Sequence, residues 1–86
     1  MRNLILILAS ITKPKGFYSN HYYKLWNIRY VQVWNERHLD PLKFGDFYES
    51  YIDYDALTDY GLNLNYKLYN YFRFVEDEYG INLIGR

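Results

Sequence analysis

Eighty-six residues leave room for one core and exclude a second domain or a long linker, so a single compact domain over residues 1–86 is expected. The chain has no Cys, which excludes disulfide staples and thiolate zinc sites. Its ten basic and ten acidic residues sum to zero net charge, which excludes strong long-range attraction to a polyanion. Half of the residues are hydrophobic and 22% are aromatic, with twelve Tyr among them. A few large rings can fill a small core, but so many hydroxyls cannot all be interior, and exposed Tyr is a side chain that recognition surfaces favour.

In chain order, Asn3 to Thr12 reads NLILILASIT, a Leu/Ile-rich run suited to a strand buried on both faces and ended by the breaker KPKG. The apolar run from Leu4 to Ala9 is shorter than the roughly 20 residues a bilayer span needs, and Lys13 and Lys15 follow it, so neither a membrane span nor a secretory leader is expected. The next segment, HYYKLWNIRYVQVWNE, is rich in β-branched and aromatic residues and reads as a second strand with Ile28, Tyr30 and Trp34 on one face. A helix is its alternative, aligning Tyr22, Trp26, Tyr30 and Val33 but setting Arg29 inside the apolar arc.

Asp40 followed by Pro41 is an N-cap and a first helical position, so a helix is expected to start there. At about 100° per residue, Phe44, Phe47, Tyr48, Tyr51 and Ile52 gather on one side and Asp46, Glu49 and Asp53 on the other. Asp55 can cap a short turn through Leu57 before Gly61. From residue 64, LNYKLYNYFRFVEDEYG carries a helical stripe of Leu64, Leu68, Tyr71, Phe72, Val75 and Tyr79, and Gly80 followed by Ile81 fits a left-handed C-cap with its apolar contact. Ile81 to Ile84 then reads as a closing strand. The expected fold is α+β in the order β-β-α-α-β, about three strands with two helices packed on one face and the Leu4 to Ile11 strand central.

Charge is balanced only in sum. Residues 1–35 hold Arg2, Lys13, Lys15, Lys24 and Arg29 and no acid, whereas residues 44–60 hold Asp46, Glu49, Asp53, Asp55 and Asp59 and no base. Such asymmetry between halves points to a charged partner, or to a partner within the fold. Asp46, Glu49 and Asp53 have two readings, the solvated face of an amphipathic helix or, because such a face usually mixes signs for the slight stabilisation of opposite charges at i,i+4, an all-acidic face interleaved with Tyr54 and Tyr60 that is shaped to be gripped.

Other constellations carry less. Glu36, His38 and Asp40 alternate as three candidate metal ligands, but Asp40 is already an N-cap, and a metal site needs further support; no metal or cofactor is expected. His21 has no Ser or Cys nucleophile paired with it, so catalysis is not expected. Lys13, Lys15, Tyr22, Tyr23, Lys24, Trp26 and Arg29 interleave cations with rings, the composition of a surface that stacks unpaired bases and holds phosphates.

In size and surface chemistry the chain resembles small phage-encoded inhibitors of host nucleases or defence complexes. That resemblance implies a viral, nucleic-acid-mimicking protein, although the balanced charge departs from strongly acidic mimics; the absence of Cys reads as a reducing, cytoplasmic location, the host cytoplasm if the protein is viral. The expected function is a non-enzymatic inhibitor or adaptor that sets Asp46, Glu49, Asp53, Tyr54, Asp55, Asp59 and Tyr60 on a basic surface of a larger protein, such as one built for nucleic acid. One alternative is single-stranded nucleic-acid binding by the basic, aromatic N-terminal part. Another is a self-assembling structural protein in which the two charged regions of neighbouring copies meet.

Overall fold

The computed structural model describes residues 14–84. After a 3-10 turn at Lys15–Phe17 come three helices, α1 (Asn20–His38), α2 (Pro41–Phe44) and α3 (Gly61–Tyr79), and among the described residues there is no strand. The expected α+β fold is therefore corrected to an all-helical one in this region. The strand expected at Asn3 to Thr12 lies outside the described residues.

The second expected strand is α1, the alternative reading of that segment. Ser19 caps it, its hydroxyl accepting from the Tyr22 N–H at 3.0 Å. Tyr23, Asn27, Tyr30, Val31 and Trp34 are its buried residues, spaced at i, i+4, i+7, i+8 and i+11, so burial of one helical face overrides the β propensity of Val and the aromatics. Arg29 is exposed, clear of the face that is buried.

The helix expected from Asp40 does start there, with Asp40 Oδ1 accepting from the Lys43 N–H and Pro41 at the first position, but α2 lasts a single turn. Gly45 ends it at φ +70, a conformation natural to glycine alone. The expected amphipathic helix through Ile52 is corrected to a non-helical segment.

α3 matches the expected helix and ends as expected. Gly80 adopts the left-handed conformation and the Ile81 N–H reaches back to the Glu76 carbonyl at 3.1 Å. Its inward face is turned from the expected stripe: Asn65, Tyr69, Asn70, Phe72 and Val75 are buried, while Leu64 and Tyr79 are 43% and 58% exposed. The expected closing strand at Ile81 to Ile84 is irregular backbone, with Leu83 buried and its N–H held by the Glu76 carboxylate at 3.0 Å.

Contacts run in the same order along both long helices. Asn27 meets Asn65, Tyr30 stacks on Phe72 at 4.8 Å and bonds Glu76, and Arg37 reaches the carbonyl of Asn82. Hence α1 and α3 lie side by side pointing the same way. A helix of nineteen residues is about 28 Å long, and the chain must travel back over that distance before α3 can begin. Residues 45–60 make that return.

Candidate interaction surface

The return segment is a strap laid along the helix pair, and side chains of α1 hold it by its main chain. The carbonyl of Tyr48 lies 2.7 Å from His38 Nδ1, that of Ser50 accepts from Trp34 Nε1 at 2.8 Å, and that of Ile52 accepts from Asn35 Nδ2 at 2.9 Å. The Ile52 N–H donates to Asn35 Oδ1 at 2.8 Å, so one Asn amide pairs with both polar groups of a residue as a neighbouring strand would. Alternate carbonyls turned one way mark an extended chain, in which successive peptide groups face opposite edges.

Side chains of the strap alternate in burial from Tyr51 to Asp55, and Ser50 is exposed beside Glu49. Tyr48 is buried against Trp34, with ring centroids 4.9 Å apart, and its hydroxyl accepts from Arg37; Ile52 and Tyr54 are half-buried. Glu49, Tyr51, Asp53 and Asp55 are exposed. Tyr54 stacks on Tyr60 at 4.9 Å and donates its hydroxyl to Asn65 Oδ1 at 2.6 Å. Burial holds its ionisation above the ordinary tyrosine range.

Of the residues expected on the acidic face, Asp46, Glu49, Asp53, Asp55 and Asp59 are all exposed. They are spread along the strap and the turns at its two ends instead of a helix face. Two of them work locally. Asp55 accepts from the Leu57 N–H and the Thr58 hydroxyl, which hold its carboxyl below the usual range with Lys24 nearby, and Asp59 accepts from the Gly61 N–H at the start of α3. Asp46, Glu49 and Asp53 have no hydrogen-bond or ion-pair partner among the described residues. Tyr60 is half-buried and its hydroxyl accepts from the Asp55 N–H at 2.9 Å.

The basic, aromatic set is divided. Tyr22, Trp26 and Arg29 line one groove with Leu25 and Ile28, with Arg29 Cζ 5.2 Å from the Trp26 ring and Tyr18 stacked on Tyr22 at 3.9 Å. Tyr23 is buried in the core, its hydroxyl donating to the Lys15 carbonyl at 3.1 Å. Lys24 lies on the Asp55 side of α1, and the Lys15 ammonium donates to Asn63. Lys13 lies outside the described residues.

Among the described residues no three His, Cys, Asp or Glu side chains gather to hold a metal, and no helix is long and apolar enough to cross a membrane. In the Glu36, His38 and Asp40 series, Glu36 accepts from Gln32, His38 fastens the strap and Asp40 caps α2. His21 is exposed.

Sequence reasoning missed the polar groups on which this surface rests. Asn27 and Asn65 are fully buried between the helices: Asn27 Nδ2 donates to the Asn65 carbonyl at 2.9 Å, and Asn65 Nδ2 donates to Asn20 Oδ1 at 2.8 Å. Tyr30 donates to Glu76 Oε1 at 2.6 Å. Asn27 and Asn35, eight residues apart among aromatics and so on one helical side, are the available signal.

A family model described as a family of unknown function (DUF6146) matches residues 3–86. No curated protein and no solved structure matches the chain.

Proposed function

The chain belongs to this family of unknown function, so we propose a role from its own surface: a non-enzymatic inhibitor or adaptor that docks its acidic strap on a basic surface of a larger protein. The observation that carries this reading is the idle set Asp46, Glu49 and Asp53, three exposed carboxylates on a segment whose other side is fastened to α1. Main-chain anchoring fixes the strap before a partner arrives, so less ordering cost falls on binding. Charge-assisted contacts to Arg or Lys then supply direction and rate of approach.

The experiment is capture from cell extract with the full chain and with its D46N/E49Q/D53N variant. A protein with a basic surface retained by the former and lost by the latter, in a salt-sensitive way, is the expected result. Equal retention by both contradicts the reading.

A second reading draws on the groove of Tyr22, Trp26 and Arg29, where a cation beside rings suits an unpaired base. Titration with a fluorescent single-stranded oligonucleotide at low salt tests it. Binding weakened by Trp26→Ala supports it, and no binding removes it.

A further inference from the structure

We propose that the strap receives its partner by strand addition, an extended segment of the partner pairing with the strap's open main-chain edge. This rests on the reading that the strap is the docking surface and names the form the partner takes there.

With the carbonyls of Tyr48, Ser50 and Ile52 and the N–H of Ile52 all directed to α1, the period of an extended chain turns the N–H and C=O of Tyr51 and Asp53 to the opposite edge. Neither main chain has a hydrogen-bond partner among the described residues. An open edge of this kind is a ready template for another strand. It borders a cleft of about 580 Å³, with Ile52, Asp53 and Tyr54 on one wall and Leu64, Lys67 and Leu68 on the other.

The chemistry of the two sides selects the occupant. Outward side chains Glu49, Asp53 and Asp55 are acidic, with Tyr51 between the first two, so Glu49 stands about 13 Å from Asp53 and Asp53 about 6.6 Å from Asp55 along the strap. An incoming strand with Lys or Arg on its outward face sets cations beside Glu49, Asp53 and Asp55, at the about 5 Å spacing of cross-strand neighbours, and one outward residue beside the Tyr51 ring. Its alternate residues fall toward Leu64 and Leu68 and must be apolar. Lys67 on the far wall opposes a second row of cations, so the two faces of the incoming strand are not interchangeable. The occupant is an extended segment of alternating basic and apolar residues in a partner protein. A second copy of this strap would oppose carboxylate to carboxylate, which disfavours it.

The test uses the full chain at about 0.15 M salt and a fluorescent seven-residue probe of alternating Lys and Val with blocked ends, read by anisotropy. A probe with Glu in place of Lys reports on charge. Two further probes are N-methylated, one at every Val and one at every Lys, so that each loses the N–H donors of one edge only. The Lys/Val probe is expected to bind, the Glu/Val probe not to bind, and one methylated probe to lose about tenfold or more while the other stays within about threefold. Equal behaviour of the Lys and Glu probes defeats the acidic-surface reading and this inference with it. Charge dependence with both methylated probes affected alike, or neither affected, overturns strand addition alone. Sedimentation of the free chain closes the remaining case: a dimer that excludes the probe contradicts the assignment to a partner segment.

Discussion

The contact between α1 and α3 is built chiefly on interlocking rings, whereas the middle of the strap is held by side chains meeting main chain. In the first region Tyr23, Tyr30, Tyr69 and Phe72 interlock, and the buried Asn27 and Asn65 fix their register. In the second, His38, Trp34 and Asn35 grip alternate peptide groups and leave Asp46, Glu49 and Asp53 without a side-chain partner among the described residues. The helix pair is thus where substitutions remove the fold, and the outward side of the strap is where they remove an interaction.

The largest separation of the two regions is expected from Phe72→Ala. Phe72 is fully buried and stacked on Tyr30, and emptying such a site costs about 3–5 kcal/mol. A chain this small holds little more than that in reserve, so thermal melting should show no cooperative transition. A transition within a few degrees of the parent would deny that the helix pair carries the stability.

Asn65→Ala comes next. It strips the acceptor from the Tyr54 hydroxyl and the donor from Asn20 at a fully buried position, at about 1–3 kcal/mol. Melting should fall, but both ends of the strap should stay attached. Asn35→Ala should cost less overall, about 1–2 kcal/mol for two partly buried bonds to Ile52. Its mark is local: limited proteolysis should speed up between Glu49 and Asp55 while helix content by circular dichroism is unchanged. Loss of helix content in step with proteolysis would merge the two regions into one.

Some of this division is legible in the sequence. The Gly80–Ile81 stop and the Asp40–Pro41 start announce themselves through the backbone conformations that Gly and Pro favour. The inward face of α3 is less legible, because Asn65 lies where an apolar residue is expected and Leu64 lies where a polar one is. The same holds for α1, whose buried face includes Asn27 and whose flanks include Leu25 and Trp26; hydrophobic period alone cannot find a face that is partly polar. The strap misleads for another reason. Phe44, Phe47, Tyr48, Tyr51 and Ile52 satisfy a helical arc, but Gly45 stands within it, and the partners that hold the segment extended come from residues 34–38, which no local pattern connects to it.

Tyrosine ionisation compares the regions by pH. Burial raises the pKa of Tyr23 and Tyr71 on the helices and of Tyr54 on the strap. A raised pKa means the unfolded chain releases these protons first, so their contribution is whole below about pH 10 and is lost as pH rises through the folded values. Melting followed from pH 8 upward should be level and then decline above about pH 10, with tyrosinate absorbance appearing late. Absorbance complete at the free-tyrosine position, with no late fraction, would place these hydroxyls in water.

The smallest effect on stability belongs to the D46N/E49Q/D53N variant. Its charges touch nothing among the described residues, so melting should change by no more than about 0.5 kcal/mol. A fall of several degrees would mean that the outward face of the strap helps to hold the fold.

Amide hydrogen exchange along the strap of the full chain tests the account most directly, residue by residue. The Ile52 amide, bonded to Asn35 Oδ1, should exchange slowly and lose that protection in Asn35→Ala, while the Tyr51 and Asp53 amides, turned to the open edge, should exchange at rates near those of an unprotected peptide. Uniform protection from Tyr51 to Asp53, or none at Ile52, would contradict a strap held along one edge and open along the other.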